Sequence, residues 1–461
     1  MKRILCILMV ILCAGALLPF PASGEEAPVM PSWGLQVMGL DLLRDLARSG
    51  DADLSRPALV AVMDVGCDTD HLLFRGRISP DSRGYMGDPS DILDRDGHGT
   101  KVAGVLAQAL PENVQLLILK IGEGGTYAPD EKILEAFLYA VEKGALVISL
   151  SIAVKHMSPV PDESHSPWRL GIRSAFEHGI PTVAAAGNED TDTRYIYPAS
   201  DPLAVPVSAV RRDGEKHSRS NYGSGIRFCA PGALIPAAAL GTGDGYTYDD
   251  GTSLAAPFLA AAAACLKMKQ PELTVPELCE LLQSCSLDLG PEGRDNAFGY
   301  GMPQISTLLA GIPPALSFPD TLKVHVTDVT PGATPDEGAG SLFLPEKGRK
   351  WCVRTEADAF LEWSADAPLL PSGLLLATGN DNGRYPGRNG AGLTLFGRER
   401  AEDDWIRLWS LPEGFSLPDE DHRLFFFPFS APFPCTQFRL QVSPSAETDV
   451  IQFGHLEIIG Q

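Results

Sequence analysis

The stretch Gly251-Thr252-Ser253-Leu254-Ala255-Ala256-Pro257 decides the fold, and a long run of alanines follows it. A glycine, a hydroxyl residue and then small apolar residues predict a helix that begins at or near Ser253, with Pro257 in its first turn. The alanines at 260–264 can pack only as a thin helix deep in a core. Taken alone, the pattern indicates a capped core helix, because short motifs of this kind also occur by chance. Ser253 becomes a candidate nucleophile only if the chain supplies a base and an acid.

Strands and helices alternate through the chain that precedes this helix. Residues 58–63 are a continuous apolar run typical of a buried parallel strand, and the run stops at Asp64. Residues 181–186 form another such run, which ends at Gly187 and Asn188. This alternation predicts an α/β fold, a parallel sheet flanked by helices. Because ligands of such sheets bind beyond the carboxyl ends of the strands, Asp64 and Asn188 are candidate functional residues.

The composition changes after Gly311-Ile312-Pro313-Pro314, a stretch that predicts a linker. Short apolar runs separated by proline, glycine and aromatic residues follow, which is typical of an all-β sandwich. A chain of 461 residues has room for two or three domains. The sequence therefore predicts a signal peptide at 1–24, an α/β domain at 25–312 and a smaller C-terminal β-sandwich at 313–461.

Residues 1–24 have the features of a secretory signal. Lys2 and Arg3 precede an apolar stretch at 4–18, and Ala22-Ser23-Gly24 is a small-residue cleavage site. A membrane helix is the alternative, but the apolar stretch is short, Pro19 interrupts it, and no second stretch of spanning length follows. We therefore expect cleavage and a secreted or extracytoplasmic protein without an integral membrane span.

The chain is acidic, with a formal charge of −22 that becomes more negative when the signal leaves. Such a surface repels phosphate backbones and anionic membranes, which argues against nucleic acid as a partner. Of nine cysteines, Cys6 and Cys13 belong to the signal. The odd number that remains predicts a free thiol or an intermolecular bond, and disulfide pairing stays open. No Cys-x-x-Cys pair occurs, so we expect no zinc site.

Three polar residues stand beside glycines at sharp chain reversals: Asp64, His98 and Ser253. A serine hydroxyl is a weak nucleophile until an imidazole takes its proton, and a carboxylate must orient that imidazole. The side chain of Asn188 and the backbone N–H of Ser253 could stabilise an oxyanion. Each residue alone also has a structural interpretation, as a turn former or helix cap. Their occurrence together in one chain favours the chemistry of a serine nucleophile.

Four motifs resemble the subtilisin-like serine proteases, in the order of that family and at about its spacings. They lie at 60–66, 96–104, 183–189 and 251–257, within a resemblance that covers about 33–310. The resemblance implies Asp64 as the orienting carboxylate, His98 as general base and then acid, Ser253 as nucleophile and Asn188 as oxyanion donor. It also implies that the substrate backbone pairs with the segment Ser151-Ile152-Ala153. Catalysis of this kind needs no metal or other cofactor, and structural calcium stays open because no Asp-rich loop is recognisable.

The sequence departs from the family pattern at several points. Val65 replaces the usual hydroxyl residue after the aspartate. Ala153 stands where glycine usually lies beside the substrate, which predicts a narrower groove and altered side-chain preference. The loop that follows is lengthened, and we interpret its His156 and His165 as solvated residues rather than metal ligands. Residues 25–57 are too few for the folding-assisting propeptide domain common in the family.

Strand-like motifs of the C-terminal region, such as 393–397 and 438–442, resemble discoidin-like, galactose-binding-type sandwiches. The loops of this region, with Asn380, Asp381 and Arg388, could bind a glycan or a protein, and a purely stabilising role is the alternative. The sequence thus predicts a secreted serine endopeptidase that acts on protein or peptide substrates. Two other functions stay open: a catalytically silent, protease-like binding protein acting through its C-terminal domain, and an esterase or amidase that uses the same triad.

Overall fold

The structure is a computed structural model that describes residues 29–159, 166–311, 324–328, 330, 332, 334 and 336–460. The predicted signal peptide at 1–24, His165 and most of the predicted linker lie outside the described residues. Within the described ranges, the helices fall short of the length and apolar character that a bilayer span requires.

The described residues form helices and strands in the following chain order. The α-helices are α1 (Trp33–Met38), α2 (Asp41–Arg48), α3 (His98–Ala109), α4 (Asp130–Glu142), α5 (Pro167–Glu177), α6 (Thr252–Lys269), α7 (Val275–Ser284) and α8 (Ile305–Ala310). The strands of the first part are β1 (Ala58–Asp64), β2 (Arg83–Gly84), β3 (Val114–Lys120), β4 (Gly122–Glu123), β5 (Thr126–Tyr127), β6 (Ile148–Leu150), β7 (Val154–Lys155), β8 (Thr182–Ala185), β9 (Ile196–Tyr197), β10 (Val205–Val210), β11 (Phe228–Pro231), β12 (Ile235–Ala238), β13 (Tyr246–Asp249), β14 (Ser286–Leu287) and β15 (Met302–Pro303). The C-terminal strands are β16 (Val324–Asp328), β17 (Trp351–Arg354), β18 (Ala359–Leu369), β19 (Pro371–Thr378), β20 (Gly392–Arg398), β21 (Ile406–Ser410), β22 (Arg423–Pro428), β23 (Cys435–Ser443) and β24 (Val450–Gly460).

A seven-stranded parallel sheet in the order β11-β10-β8-β6-β1-β3-β2 forms the centre of the first region. This confirms the predicted α/β fold. Both faces of the sheet are covered, which explains why β1 is a continuous apolar run rather than an alternating one. Along β1, Val60 and Val62 pack into one core with α3 and α6, whereas Ala61 and Met63 pack into a second core with α4 and α5.

The strand order reverses direction at β1. From β1 the chain crosses to β3 on one side, and it then returns past β1 to β6 and continues outward to β8, β10 and β11. Connections that leave neighbouring strands in opposite directions open a crevice at their carboxyl ends, where ligands of α/β sheets bind. Asp64 ends β1 and Ser151 directly follows β6, so both residues border this crevice.

The C-terminal region contains two antiparallel sheets, a five-stranded one in the order β16-β18-β23-β20-β21 and the C-terminal part of a six-stranded one. Side chains of both sheets share one apolar core, in which Trp351, Phe438 and Phe453 are almost completely buried. The strand-like motifs at 393–397 and 438–442 lie within β20 and β23. The arrangement agrees with the predicted β-sandwich.

The six-stranded sheet contains strands of both regions, in the order β12-β13-β22-β19-β24-β17. The hairpin β12–β13 comes from the first region, and Tyr246 and Thr247 of β13 pair with Leu424 and Arg423 of β22. Gly245 makes this junction possible, since a Cβ at that position would overlap the guanidinium of Arg423. The two predicted domains are therefore joined by continuous backbone hydrogen bonding as well as by the linker.

Candidate active site

Asp64 is almost fully buried at the end of β1, with 1% of its surface exposed. Its Oδ1 atom accepts hydrogen bonds from Nδ1 of His98 (2.7 Å) and from the backbone N–H of Val65 (2.8 Å). Its Oδ2 atom is buried and has no hydrogen-bond partner among the residues that the structure describes. Because Val65 has no hydroxyl group, it cannot supply the hydrogen bond that a serine or threonine side chain could offer at this position.

His98 is the first residue of α3. Glycines on both sides permit this position: Gly97 has a φ of 89°, and a Cβ on Gly99 would overlap the carbonyl oxygen of Gly66. The Asp64 carboxylate raises the pKa of His98 above its ordinary value of 6.5, because it stabilises the imidazolium form. The pair thus has the geometry and charge of an oriented base.

The sequence does not single out Asp94, which organises the loop in front of His98. One carboxylate oxygen of Asp94 accepts from the backbone N–H groups of Asp96 and Gly97, at 2.9 Å each. The other accepts from the N–H (2.8 Å) and the hydroxyl (2.6 Å) of Thr100. These four hydrogen bonds fix the turn that delivers His98, and they lower the pKa of Asp94 even though burial opposes its charged form.

Ser253 is the second residue of α6, close to the position that the sequence predicts. Pro257, however, lies in the second turn rather than in the first, so the prediction for Pro257 is wrong. A proline there removes the helical N–H that would donate to the carbonyl of Ser253, four residues earlier. The hydroxyl of Ser151 donates to this carbonyl instead, over 2.9 Å.

The hydroxyl of Ser253 donates in turn to the carbonyl oxygen of Ser151, over 3.3 Å. Within the described part of the chain, this hydroxyl makes no hydrogen bond to His98. The structure therefore joins Asp64 to His98 and Ser253 to Ser151 as two separate pairs. Hydrogen bonds between a nucleophile and its base are often long or poorly aligned without substrate and tighten only when substrate binds.

Asn188 follows β8 and packs against the start of α6. Its Oδ1 atom accepts from the backbone N–H (2.9 Å) and the hydroxyl (3.2 Å) of Thr252, whose hydroxyl oxygen also accepts from the N–H of Gly187 (3.0 Å). The carboxamide oxygen is thus occupied, which leaves the Nδ2 group as the free donor end of the side chain. Gly251 is required beside it, because a Cβ there would lie 3.2 Å from Oδ1 and φ is 135°.

The predicted substrate segment, Ser151-Ile152-Ala153, lies between β6 and β7. Ile152 is buried, whereas Ala153 is partly exposed. A Cβ added to Gly187 would lie 3.4 Å from the Ala153 methyl, so this methyl is next to the strand end that carries Asn188. In the lengthened loop, the backbone N–H of His156 donates to Tyr195 (2.8 Å), and His165 lies outside the described residues.

The turn that precedes Ser253 is held by the C-terminal region, a relationship that the sequence does not reveal. Asp249 accepts hydrogen bonds from Lys101 of α3 and from Lys347 of the C-terminal region. Burial opposes its charged form, but the two ammonium groups prevail and lower the pKa of Asp249 to about 2. Asp250 accepts from the backbone N–H of Lys347 over 2.6 Å. One C-terminal residue thus contacts both residues that lead into Gly251.

The described residues contain no group of three or more His, Cys, Asp or Glu side chains that could hold a metal ion. The cysteines of the described ranges are all free and buried, which resolves the open pairing in favour of isolated thiols. Burial raises the pKa of Cys265 to about 12 and that of Cys285 to about 11. Thiols that stay protonated at neutral pH are poor nucleophiles, so Ser253 has no competitor among them.

The C-terminal loop that the sequence singles out is held by contacts of its own. Asp381 accepts a hydrogen bond from Lys350 over 2.7 Å, and the guanidinium of Arg388 lies 4.1 Å from the ring centroid of Tyr385. Asn382, buried between them, donates to Asn389. The loop is therefore ordered by its own polar side chains before any ligand binds.

Comparisons with known proteins concern mainly the first region of the chain. The model of the subtilase family matches residues 55–301. A cell wall-associated protease of Bacillus subtilis is 30% identical over 247 residues, which are 51% of this chain and 26% of that protein. Subtilisin-like protease 2 of Arthroderma otae is 33% identical over 215 residues, 44% of this chain and 48% of that protein. The chain thus matches about half or less of the length of these relatives.

Among solved structures, the crystal structure of a lanthipeptide protease aligns with 60% of this chain and 97% of its own, with a TM-score of 0.51 and 22% identity. At this level of identity the likeness concerns the fold alone.

Proposed function

Because this chain belongs to the subtilase family, we propose that it is a serine endopeptidase that hydrolyses peptide bonds through Asp64, His98 and Ser253. The observation that carries the proposal is the 2.7 Å hydrogen bond between the buried Asp64 carboxylate and Nδ1 of His98. It lies at the crevice where the strand order reverses, and Ser253 stands at the start of α6. Each residue type has one role in acyl transfer, and the elements that carry the three residues, β1, α3 and α6, pack in one core.

In the proposed reaction, Nε2 of His98 takes the proton of Ser253 as the serine oxygen attacks the substrate carbonyl. Asp64 stabilises the imidazolium that forms, consistent with the raised pKa of His98. His98 then gives the proton to the leaving amine, and an acyl-enzyme on Ser253 remains. A water molecule, deprotonated by the same histidine, attacks the acyl-enzyme and releases the second product.

Two donors are available for the oxyanion of the tetrahedral intermediate. The Nδ2 group of Asn188 is directed by the contacts that occupy its oxygen atom. The N–H of Ser253 is one of the first amides of α6 and has no acceptor within the helix. Donors fixed in this way before substrate arrives are worth about 10²–10³-fold in kcat each. The substrate backbone would lie along Ser151-Ile152-Ala153.

We further propose that the mature protein acts outside the cytoplasm on protein or peptide substrates, as the signal-like residues 1–24 indicate. The C-terminal loop with Asp381 and Arg388 could bind a glycan or a protein and so position the enzyme. No metal or other cofactor is needed for the steps above.

A fluorophosphonate probe tests the proposal, because it reacts only with a serine that its histidine activates. We expect labelling of the wild-type protein, and none of the Ser253→Ala or His98→Ala variants. Folded wild-type protein that stays unlabelled would instead support a silent binding protein. Labelled protein that turns over an ester but cleaves no member of a peptide library would point to an esterase or amidase.

A further inference from the structure

A cavity of about 410 Å³ lies apart from the residues assigned to catalysis, near the chain that connects β8 to β9. Its walls come from Pro159, from the segment at 193–204, from 224–227 and from Arg294. Strand β9 forms part of the first of these segments, and it pairs with β7, which directly continues the segment 151–153. Residues that flank β9 in sequence thus line the cavity, and β9 links them through β7 to the proposed substrate segment.

The cavity is strongly cationic on an otherwise acidic protein. Arg194, Arg227 and Arg294 line it, and among the described residues Asp201 is the one acidic residue of its lining. Both oxygens of Asp201 already have partners: Oδ1 accepts from the N–H of Leu203 (2.9 Å) and Oδ2 from the hydroxyl of Tyr197 (3.3 Å). The whole chain has a net charge of −22, so three arginines around one cavity form a local cationic cluster on an acidic protein.

The three arginines differ in what they already bind. Arg194 forms an ion pair with Asp192 at 2.6 Å, and Arg294 donates to the carbonyl oxygens of Ser224 (2.6 Å) and Ile226 (3.0 Å). The side chain of Arg227 has no hydrogen bond and no ion pair with any residue that the structure describes. A partly buried guanidinium without an acceptor has a strong preference for an anion.

Two hydroxyl groups of the same cavity also lack partners. Thr193 is 1% exposed, and its Oγ1 atom is buried without a hydrogen bond to any described residue. The Oγ atom of Ser200 is also buried without a hydrogen bond to any described residue. Glycines at 223 and 225 leave space around the threonine hydroxyl, because a Cβ at either position would lie within 3 Å of it. Buried polar groups are normally hydrogen-bonded, so unpaired hydroxyl groups on residues that line the cavity indicate a missing acceptor.

We propose that this cavity binds an oxyanion, namely a carboxylate, sulfate or phosphate group, with Arg227 as its main cationic ligand and Thr193 and Ser200 as hydroxyl donors. The shared chemistry is a planar or tetrahedral group of oxygens, which an arginine fork fits. The anion has two sources: a free inorganic ion, or an acidic side chain of the polypeptide bound along 151–153. The second source rests on the proposed peptidase function, and the first does not.

The test begins with binding of sodium sulfate to the full-length Ser253→Ala protein, measured by titration calorimetry at constant ionic strength. This variant keeps the cavity and removes turnover, so the result does not depend on the proposed activity. We expect saturable binding that Arg227→Met weakens at least tenfold and Thr193→Val weakens less, whereas Arg75→Met, at an exposed arginine outside the cavity, leaves it unchanged. Binding that is not saturable, or that survives Arg227→Met, would overturn the proposal.

A second arm distinguishes the sources in wild-type protein that fluorophosphonate labels. Peptide pairs that carry glutamate or glutamine at successive positions are compared with and without sulfate. If the cavity binds an acidic substrate side chain, the wild type should have a lower KM for a glutamate peptide than for its glutamine partner. Sulfate should raise that KM, and the difference between the two peptides should be absent in Arg227→Met. Sulfate binding that leaves every KM unchanged assigns it to a free ion. Failure of fluorophosphonate labelling would refute the peptidase proposal and leave the calorimetric result valid.

Discussion

Ser151 and Ser253 exchange two hydrogen bonds across the crevice, each hydroxyl donating to the carbonyl oxygen of the other residue. Pro257 is the reason for one of them, because it offers no N–H to the carbonyl of Ser253. The backbone of the proposed nucleophile is thus held by the first residue of the proposed substrate segment. We therefore expect a change in one of these elements to affect the other.

Removing the hydroxyl of Ser151 should leave the carbonyl of Ser253 without a donor. We expect Ser151→Ala to lower the free energy of unfolding by about 1–3 kcal/mol, the usual cost of an orphaned buried acceptor. The rate of fluorophosphonate labelling should fall as well, because the backbone at Ser253 loses a fixed contact. Chemical denaturation and labelling kinetics measure the two effects.

A double-mutant cycle with Pro257→Ala provides the control. Alanine at 257 restores a helical N–H to the carbonyl of Ser253, so Ser151→Ala should cost less in this background. Equal costs in both backgrounds would mean that the serine hydroxyl does not substitute for the helical hydrogen bond.

The acid limb of the pH–rate profile should lie above pH 6.5. His98 must be neutral to act as a base, and the Asp64 carboxylate raises its pKa above that value. The Asp64→Asn variant should therefore shift the limb to lower pH and reduce kcat by about 10⁴-fold at neutral pH. Profiles of kcat/KM from pH 5 to 9 measure both.

The exposed Asp96 is a matched control for this prediction, because it raises the pKa of His98 less than Asp64 does. Asp96→Asn should produce a smaller shift and keep most of the rate. An acid limb that does not move in Asp64→Asn would assign it to another group.

Thr252 should act on the reaction by positioning Asn188. In Thr252→Val the hydroxyl contact to Oδ1 is lost, while the backbone N–H of residue 252 still donates to it. We expect a lower kcat with KM nearly unchanged, because the oxyanion donor acts in the transition state. The loss should be smaller than the roughly 10²–10³-fold that Asn188→Ala produces. Thr252→Ser keeps the hydroxyl and should retain the wild-type kcat; a KM effect alone would contradict this role.

Asp249 should contribute stability that disappears in acid. Its folded pKa of about 2 lies below the ordinary 3.8, so its contribution is fully present above pH 3.8 and is lost as the pH falls toward 2. The shift corresponds to about 2.5 kcal/mol. We expect Asp249→Asn to lower the free energy of unfolding by roughly this amount at pH 7 and by much less near pH 2.5. Denaturant titrations at the two pH values measure the difference.

Asp213 offers a comparison, since it pairs with Arg211 at the surface and should cost at most about 1 kcal/mol when replaced by asparagine. If the cost of Asp249→Asn were the same at both pH values, the two lysines would not be the origin of its stabilising effect.

The sequence predicts those features that depend on local patterns. The apolar run of β1 leads to the buried parallel strand, and the glycines around His98 and Ser253 lead to sharp reversals at the sheet edge. The start of α6 is predicted to within one residue. The helical turn that contains Pro257 is predicted wrongly. Assigning that turn requires knowing that the helix starts at Thr252, and helix boundaries shift easily by one or two residues.

Contacts between distant segments carry no such pattern. The hydrogen bonds of Lys347 to Asp249 and Asp250 join positions 98 and 97 residues apart, respectively, and no periodicity relates them. The cationic cavity likewise combines Thr193, Arg227 and Arg294, which the chain separates and only the fold brings together. Thr252 is an intermediate case, since its place beside Ser253 is visible in the sequence but its contact with Asn188 is not.

The pairing of β13 with β22 determines where the chain can be divided. A truncated protein that ends at the predicted linker near residue 312 would expose β13 as a bare edge strand, with unpaired N–H and C=O groups ready to join another chain. It would also lack Lys347, which holds the turn that leads into Ser253. We therefore expect that the first region cannot be produced alone in a native state. A protein truncated near residue 312 should self-associate and have weak activity.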